Sequence, residues 1–181
     1  MRDLHRESTT DPFSGLLNRR GLARALKVIQ QSNVPVAVIS IDIDHFKMIN
    51  DQHWHGVGDV FIRVLAKLMQ ENSRSGDALA RSGGEEFVIL LPNTSTDHAI
   101  DVASRLQRAM AQTTSTTESP ATISLGIARY PDHGAHVEAV MLRADRALYY
   151  AKNNGRNAIC VADNNSTNGL CLLRSKGQET N

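Results

Sequence analysis

Cysteine is nearly absent: Cys160 and Cys171 are the only two in 181 residues. They lack metal-ligand spacing and the density of a secreted disulfide scaffold, so a reduced, cytoplasmic setting is expected. Excess charge is absent too. Twenty Lys and Arg stand against nineteen Asp and Glu, a formal +1, and the basic residues are scattered and form no stripe. That excludes the electrostatic footprint of a general DNA or RNA binder, and any nucleotide bound here is expected to be small. No apolar run approaches the length of a membrane span, so no membrane contact is expected from this chain. Residues 1–11 are polar and charged and have no signal-peptide core. Residues 1–10 read as the end of a linker, and a tether to the inner membrane through upstream regions is left open. There is no internal repeat.

What is present suffices for one sizeable core and one domain, given 41% hydrophobic residues. Residues 16–29 have a helical pattern, with Asp11, Pro12 and Ser14 as start signals. Residues 34–43 form a nearly unbroken β-branched run, the mark of a central strand covered on both faces. Val60, Phe61, Val64, Leu65, Leu68 and Met69 fall three and four apart on a helix that begins just after the stretch 56–59. Further helices are expected over 99–110 and 137–151, the second closed by Gly155, and strands over 121–128 and 157–161. Residues 78–80 and 87–91 read as a hairpin whose adjacent Gly83 and Gly84 supply positive φ. A hairpin forces an antiparallel pair, so an α/β (α+β) fold with a mixed central sheet flanked by helices is expected over residues 11–162. The tail 163–181 is polar and is expected to be disordered.

Acidic side chains collect where strands meet the surface, the edge at which open α/β sheets commonly bind ligands. Asp42 ends a strand too apolar to solvate it, so its charge needs a partner, most simply a divalent cation. Asp44 is either part of that group or the cap of a short helix starting at His45. Glu85 sits at the tip of the hairpin, where the two glycines leave bare backbone for a phosphate to approach. An ordinary solvated turn would look the same. Asp42 and Glu85 from separate strands suit one or two Mg²⁺ ions, with Mn²⁺ as a substitute, held against substrate phosphates for phosphoryl or nucleotidyl transfer. Lys47 reads from its spacing as a surface lysine. Asn50, Asp51, Gly58 and Asp59 either read the edge of a purine or act as helix caps. An aspartyl-phosphate phosphatase built on Asp42 and Asp44 is disfavoured by Phe46 two places on. A zinc site from His45, His53 and His55 lacks a second cluster.

In order along the chain, Asp11-Pro12-Phe13-Ser14-Gly15-Leu16-Leu17-Asn18-Arg19-Arg20, the stretch 42–59, Gly83-Gly84-Glu85-Glu86-Phe87, Ser124-Leu125-Gly126 and the stretch 144–157 resemble the motifs of the GGDEF-domain diguanylate cyclases. The resemblance implies a nucleotidyl cyclase and polymerase-palm-like core with the signature on a β-hairpin, and condensation of two GTP into cyclic di-GMP. It implies that Asp42, the Ile43 carbonyl and Glu85 bind Mg²⁺, with Glu85 also assisting deprotonation of the attacking hydroxyl. It further implies that Asn50 and Asp59 recognise guanine with His55 nearby, and that Lys152 and Arg156 hold the terminal phosphates. Lys47, Gly83 and Gly84 join the substrate-binding set. A homodimer with one GTP per domain is implied as well. Arg74 and Asp77 stand where family members carry an R-x-x-D site for inhibition by cyclic di-GMP, and an Arg fork suits a phosphate or a guanine edge. Trp54 departs from the usual Gly, and Ser82 from the usual aromatic. An impaired domain that binds nucleotide without turnover is the alternative.

Overall fold

The computed structural model describes residues 8–52, 56–114, 120–163 and 170–174. Thus Trp54, His53 and His55 lie outside the described residues. Eleven elements occur in the order α1 (Arg19–Ser32), β1 (Val36–Ile43), α2 (Phe46–Gln52), α3 (Val57–Glu71), β2 (Ala78–Arg81), β3 (Glu86–Pro92), α4 (Thr96–Thr114), β4 (Ile123–Tyr130), α5 (Val137–Asn153), β5 (Ala158–Ala162) and β6 (Leu170–Arg174). The sheet runs β2-β3-β1-β4-β5-β6. Only β4 and β5 pair in parallel; the other neighbours are antiparallel. Among the described residues, no helix is long and apolar enough to cross a membrane.

Every residue of β1 is buried, as its apolar run demanded. Its period-two alternation separates two cores. Ile39, Ile41 and Ile43 face the cluster that holds Phe61, Leu65 and Met69 of α3 with Leu106 and Met110 of α4. Val36 and Val38 face the other, with Leu22 of α1 and Val140 and Ala144 of α5. Ser40 and Asp42 continue that second row by parity, which is how a strand buried on both faces delivers a carboxylate beneath α5.

Gly126 explains why α5 lies so close to the sheet. A Cβ there would fall 2.1 Å from the Ala144 carbonyl oxygen and 2.2 Å from the Leu148 amide nitrogen, both backbone atoms that cannot step aside. Gly126→Ala is therefore expected to cost about 1–3 kcal/mol, as overpacking does. It should also lift the end of α5 that carries Lys152. Urea unfolding checks the first effect, and an unchanged midpoint would refute it.

Three expectations change. The first helix starts at Arg19, not 16, because Asn18 is the cap, its side chain accepting from the amides of Arg20 and Gly21. Asp11 instead closes a turn, accepting from the Ser14 amide at 2.8 Å and its hydroxyl at 2.6 Å. The signature turn needs no left-handed glycine, since positive φ among the described glycines belongs to Gly15 and Gly155. It is closed by Ser82 and Gly83 amides donating to the Glu86 carbonyl at 2.9 and 3.3 Å. The tail is not wholly without structure: residues 170–174 add β6 to the edge of β5. Its average polarity concealed the short apolar run Leu170-Cys171-Leu172-Leu173, enough to pair with an open strand edge.

Candidate active site

β1 and the β2–β3 hairpin bring the two expected carboxylates together. Asp42 pairs in register with Glu86, and the Ile43 amide donates to the Glu85 carbonyl at 3.3 Å, so the hairpin tip is laced to the end of β1. Asp42 is 3% exposed, and Lys152 Nζ, from the last turn of α5, donates to its Oδ2 at 2.8 Å. Burial raises the Asp42 carboxyl above the ordinary range despite that lysine, and Glu86 and Asp44 add repulsion. Glu85 is raised in the same direction, first by burial and then by the negative charge of Asp42. Two carboxylates thus repel each other across a partly dry gap, a pattern typical of functional sites.

Clefts open on both sides of this centre, and Asp42, Lys152 and Arg156 line each of them. One, of about 370 Å³, is completed by Ile43, Lys47, Asp51 and Glu85 among others. The other, of about 530 Å³, runs along Arg19, Ser40, Met141, Asp145 and Tyr149. Arg156 follows the Gly155 turn with φ of 57°, and so faces the cleft beside Lys152. Lys47, which its spacing alone left as a surface lysine, is a lining residue of the first cleft.

The donor set suits a hard cation. Carboxylate oxygens and a backbone carbonyl are what Mg²⁺ or Mn²⁺ prefer, and the negative charge with which Asp42 raises Glu85 is what such an ion relieves. Among the described residues no group of three or more His, Cys, Asp or Glu side chains forms a ready-made cage. Two carboxylates fit an ion that takes its remaining ligands from water and substrate phosphates.

Asn50 lies against Gly58, the residue before Asp59. A Cβ on Gly58 would lie 2.0 Å from Asn50 Oδ1, so α2 and α3 approach there with no room for a side chain. Asp59 stands in the first turn of α3. Gly84 has open space where a Cβ would point, while Gly83 has the Glu86 carboxylate there. Away from this centre, Arg74 donates from Nε to Asp77 Oδ1 at 3.2 Å and from Nη2 to the Pro92 carbonyl at 3.0 Å. The two residues share a cleft of about 550 Å³ with His98, Asp101 and Arg105.

Sequence reasoning missed the braces of the hairpin. Arg81 donates to the Gly84 carbonyl from Nη2 at 2.8 Å and to Asp11 Oδ1 from Nη1 at 3.2 Å, beside the Phe13 ring. Arg19 donates to the Ser82 carbonyl. Ser40 Oγ donates to Asp145 at 2.6 Å, tying α5 to β1. Arg105 was also missed. Apart from Arg81 and Gly84, three residues apart and joined through a backbone carbonyl, these groups lie far in sequence from what they hold, so no local spacing marks them.

A mixed sheet with two opposed carboxylates at the mouth of β1 and its hairpin, and cations from α5 above them, defines the palm-like cyclase class of nucleotide domain. The family model described as "Diguanylate cyclase, GGDEF domain" matches residues 8–158, and the chain belongs to that family. It is 38% identical over 162 residues to "Uncharacterized protein YhcK" of Bacillus subtilis, spanning 84% of this chain and 45% of that protein. It is 36% identical over 156 residues to "Diguanylate cyclase DgcM" of Escherichia coli K12, spanning 84% of this chain and 38% of that one. The chain therefore covers less than half the length of these relatives. Among solved structures, the GGDEF domain of DgcB from Caulobacter crescentus in complex with c-di-GMP superposes with a TM-score of 0.78 at 31% identity, over 88% of this chain and 98% of that one. The active GGEEF domain of a diguanylate cyclase from Vibrio cholerae gives 0.74 at 35% identity, over 82% and 98%.

Proposed function

We propose that this domain condenses two GTP molecules into cyclic di-GMP and two pyrophosphates as a homodimer with one GTP per domain. The observation that carries the reading is the grouping of Asp42, Glu85, Lys152 and Arg156 around one cleft, carboxylates below and cations above. In each half-reaction a 3′-hydroxyl of one GTP attacks the α-phosphorus of the other, its proton is taken up, and the bond to pyrophosphate breaks. Two such steps close the ring. Divalent metal, Mg²⁺ by the oxygen donors, would be held by Asp42, Glu85 and the Ile43 carbonyl, and would neutralise phosphate charge and acidify the hydroxyl.

The chain's own groups do the rest. Glu85 sits at the hairpin tip, where it reaches the cleft, and its carboxylate assists removal of the proton from the attacking hydroxyl. Lys152, which donates to Asp42, would be free to meet the phosphates with a metal held at that carboxylate. Arg156, and Lys47 in the same cleft, complete the grip on the polyphosphate. Asn50 and Asp59 offer an amide and a carboxylate to the guanine edge, with His55 outside the described residues. Gly83 and Gly84 keep side chains away from the nucleotide. Facing domains supply orientation, and with it much of the acceleration. Arg74 and Asp77 take the product, cyclic di-GMP, as an inhibitor.

Incubation of a nucleotide-free sample with GTP and Mg²⁺ should yield cyclic di-GMP by chromatography, with two pyrophosphates per product and a specific activity that climbs with protein concentration. A dimeric sample that binds GTP and makes no product would sink the enzyme reading and leave a nucleotide-binding module. Arg74→Ala should abolish inhibition by added cyclic di-GMP while leaving the initial rate intact. Undiminished inhibition would remove this cleft from regulation.

A further inference from the structure

The turn after α5 runs through three residues of positive φ: Gly155 at 103°, Arg156 at 57° and Asn157 at 43°. Glycine adopts this freely and asparagine more readily than most, but an arginine does not, and such backbone persists only where its surroundings hold it. Two contacts hold it. The Arg156 amide donates back to the Ala151 carbonyl of α5 at 3.1 Å. The next amide, that of Asn157, donates to Asp44 Oδ2 at 2.9 Å.

Asp44 is placed for this and for little else. It is 2% exposed, and its two oxygens also accept from the Thr122 hydroxyl at 2.7 Å and the Ser124 hydroxyl at 2.7 Å. Its own amide donates to the Thr122 carbonyl at 2.9 Å. Three protein donors converge on one carboxylate, so it is committed to the scaffold and not turned to a metal. Nor does it cap α2, the role its position before His45 offered: its partners lie at the start of β4, just before it and after α5, and His45 itself has φ of 56°.

We infer that Asp44 is a positioning residue for Arg156: through the Asn157 amide it holds the strained turn that aims the guanidinium at the polyphosphate end of the cleft. The inference rests on the reading of that cleft as a GTP site and adds one element to it. The end of β1 then serves both ends of one task, with Asp42 facing the metal and phosphates and Asp44, two residues on, orienting the cation above them.

The test compares two guanine ligands that differ in phosphate number and in the 3′-hydroxyl: 3′-deoxy-GTP, which binds but cannot act as nucleophile, and GMP, each titrated with Mg²⁺ by calorimetry into the full chain, so that each variant is read against wild type for the same ligand. Wild-type protein should bind the triphosphate more tightly. Asp44→Ala should lose on the order of tenfold or more for 3′-deoxy-GTP, the scale of a displaced charge-assisted contact, with GMP unchanged. Asp44→Asn keeps an acceptor for the Asn157 amide and can turn its NH₂ to the Ser124 hydroxyl, so it should recover most of that loss. The pair Asp44→Ala with Arg156→Ala should bind no more weakly than Arg156→Ala alone. Should Asp44→Ala fail to fold, Thr122→Val, which frees one edge of the carboxylate, should show the same selective loss in smaller measure. Equal weakening of both ligands, an undiminished preference for the triphosphate, or additive losses with Arg156→Ala would each overturn the inference. A wild-type protein without that preference overturns the GTP reading together with it. A preference as large in Asp44→Ala as in wild type overturns the role of Asp44 alone.

Discussion

Glu85→Ala should reduce turnover of GTP by on the order of a thousandfold or more, because one change removes a metal ligand and a proton acceptor. The fold should survive it. Glu85 is half-buried at a hairpin tip, and its carboxylate is pushed up by burial and by Asp42, so the ionised group is a net strain on the native state at neutral pH. Its removal is expected to leave the melting temperature unchanged or raised. Glu85→Gln should be as inactive as the alanine variant, since it keeps size and loses charge. The pH dependence follows with its sign. Metal needs both carboxylates ionised, and both are raised above the ordinary range, so the Mg²⁺ requirement should climb on acidification sooner than ordinary carboxylates would dictate. Measured rates at several Mg²⁺ concentrations across pH check this. Substantial turnover by Glu85→Ala, or a Mg²⁺ requirement flat down to the ordinary carboxylate range, would contradict it.

The legible parts of this molecule were those where a local pattern carries the physics. The unbroken apolar run of β1 had to be central, and Asp42 at its end had to be buried and partnered. The helix stripes of α3, α4 and α5 announced themselves by period. The partner of Asp42 was less legible, because Lys152 lies 110 residues away and reaches it only when Gly126 lets α5 settle on β4. Asp44 was ambiguous for a related reason. A residue before a short helix reads as a cap, while its real donors, the Thr122 and Ser124 hydroxyls and the Asn157 amide, are set by strand order. The signature glycines were read both through backbone freedom and through bare backbone; neither takes positive φ, and Gly84 has open space where a side chain would stand. Arg81 and Arg19 brace that turn through carbonyls, which no side-chain motif encodes.

The ion pair at the centre yields the second large expectation. Lys152→Met should abolish turnover and also destabilise the fold at neutral pH, by ~2 kcal/mol, less than the 3–5 kcal/mol of a fully buried broken pair because a third of the lysine side chain meets water. The loss should depend on pH in a definite direction. Asp42 is already raised above its unfolded value, so its ionisation costs the native state stability as pH rises through the folded pKa. Lys152 is what lowers it. Without that lysine the carboxyl rises further. The deficit of the variant against wild type should therefore open as pH climbs out of the ordinary carboxylate range and close again on acidification, when Asp42 takes a proton in place of the ammonium. Mg²⁺ should do the same work at neutral pH. In the wild type the ion competes with Lys152 for Asp42, and in the variant it does not, so added Mg²⁺ should raise the melting temperature of Lys152→Met more than that of the wild type. Thermal unfolding at acid and neutral pH, each with and without Mg²⁺, separates these terms. A deficit equal at both pH values would mean that lost packing of the lysine stem, not the charge it gives Asp42, explains the variant; equal Mg²⁺ shifts would mean that metal does not meet Asp42.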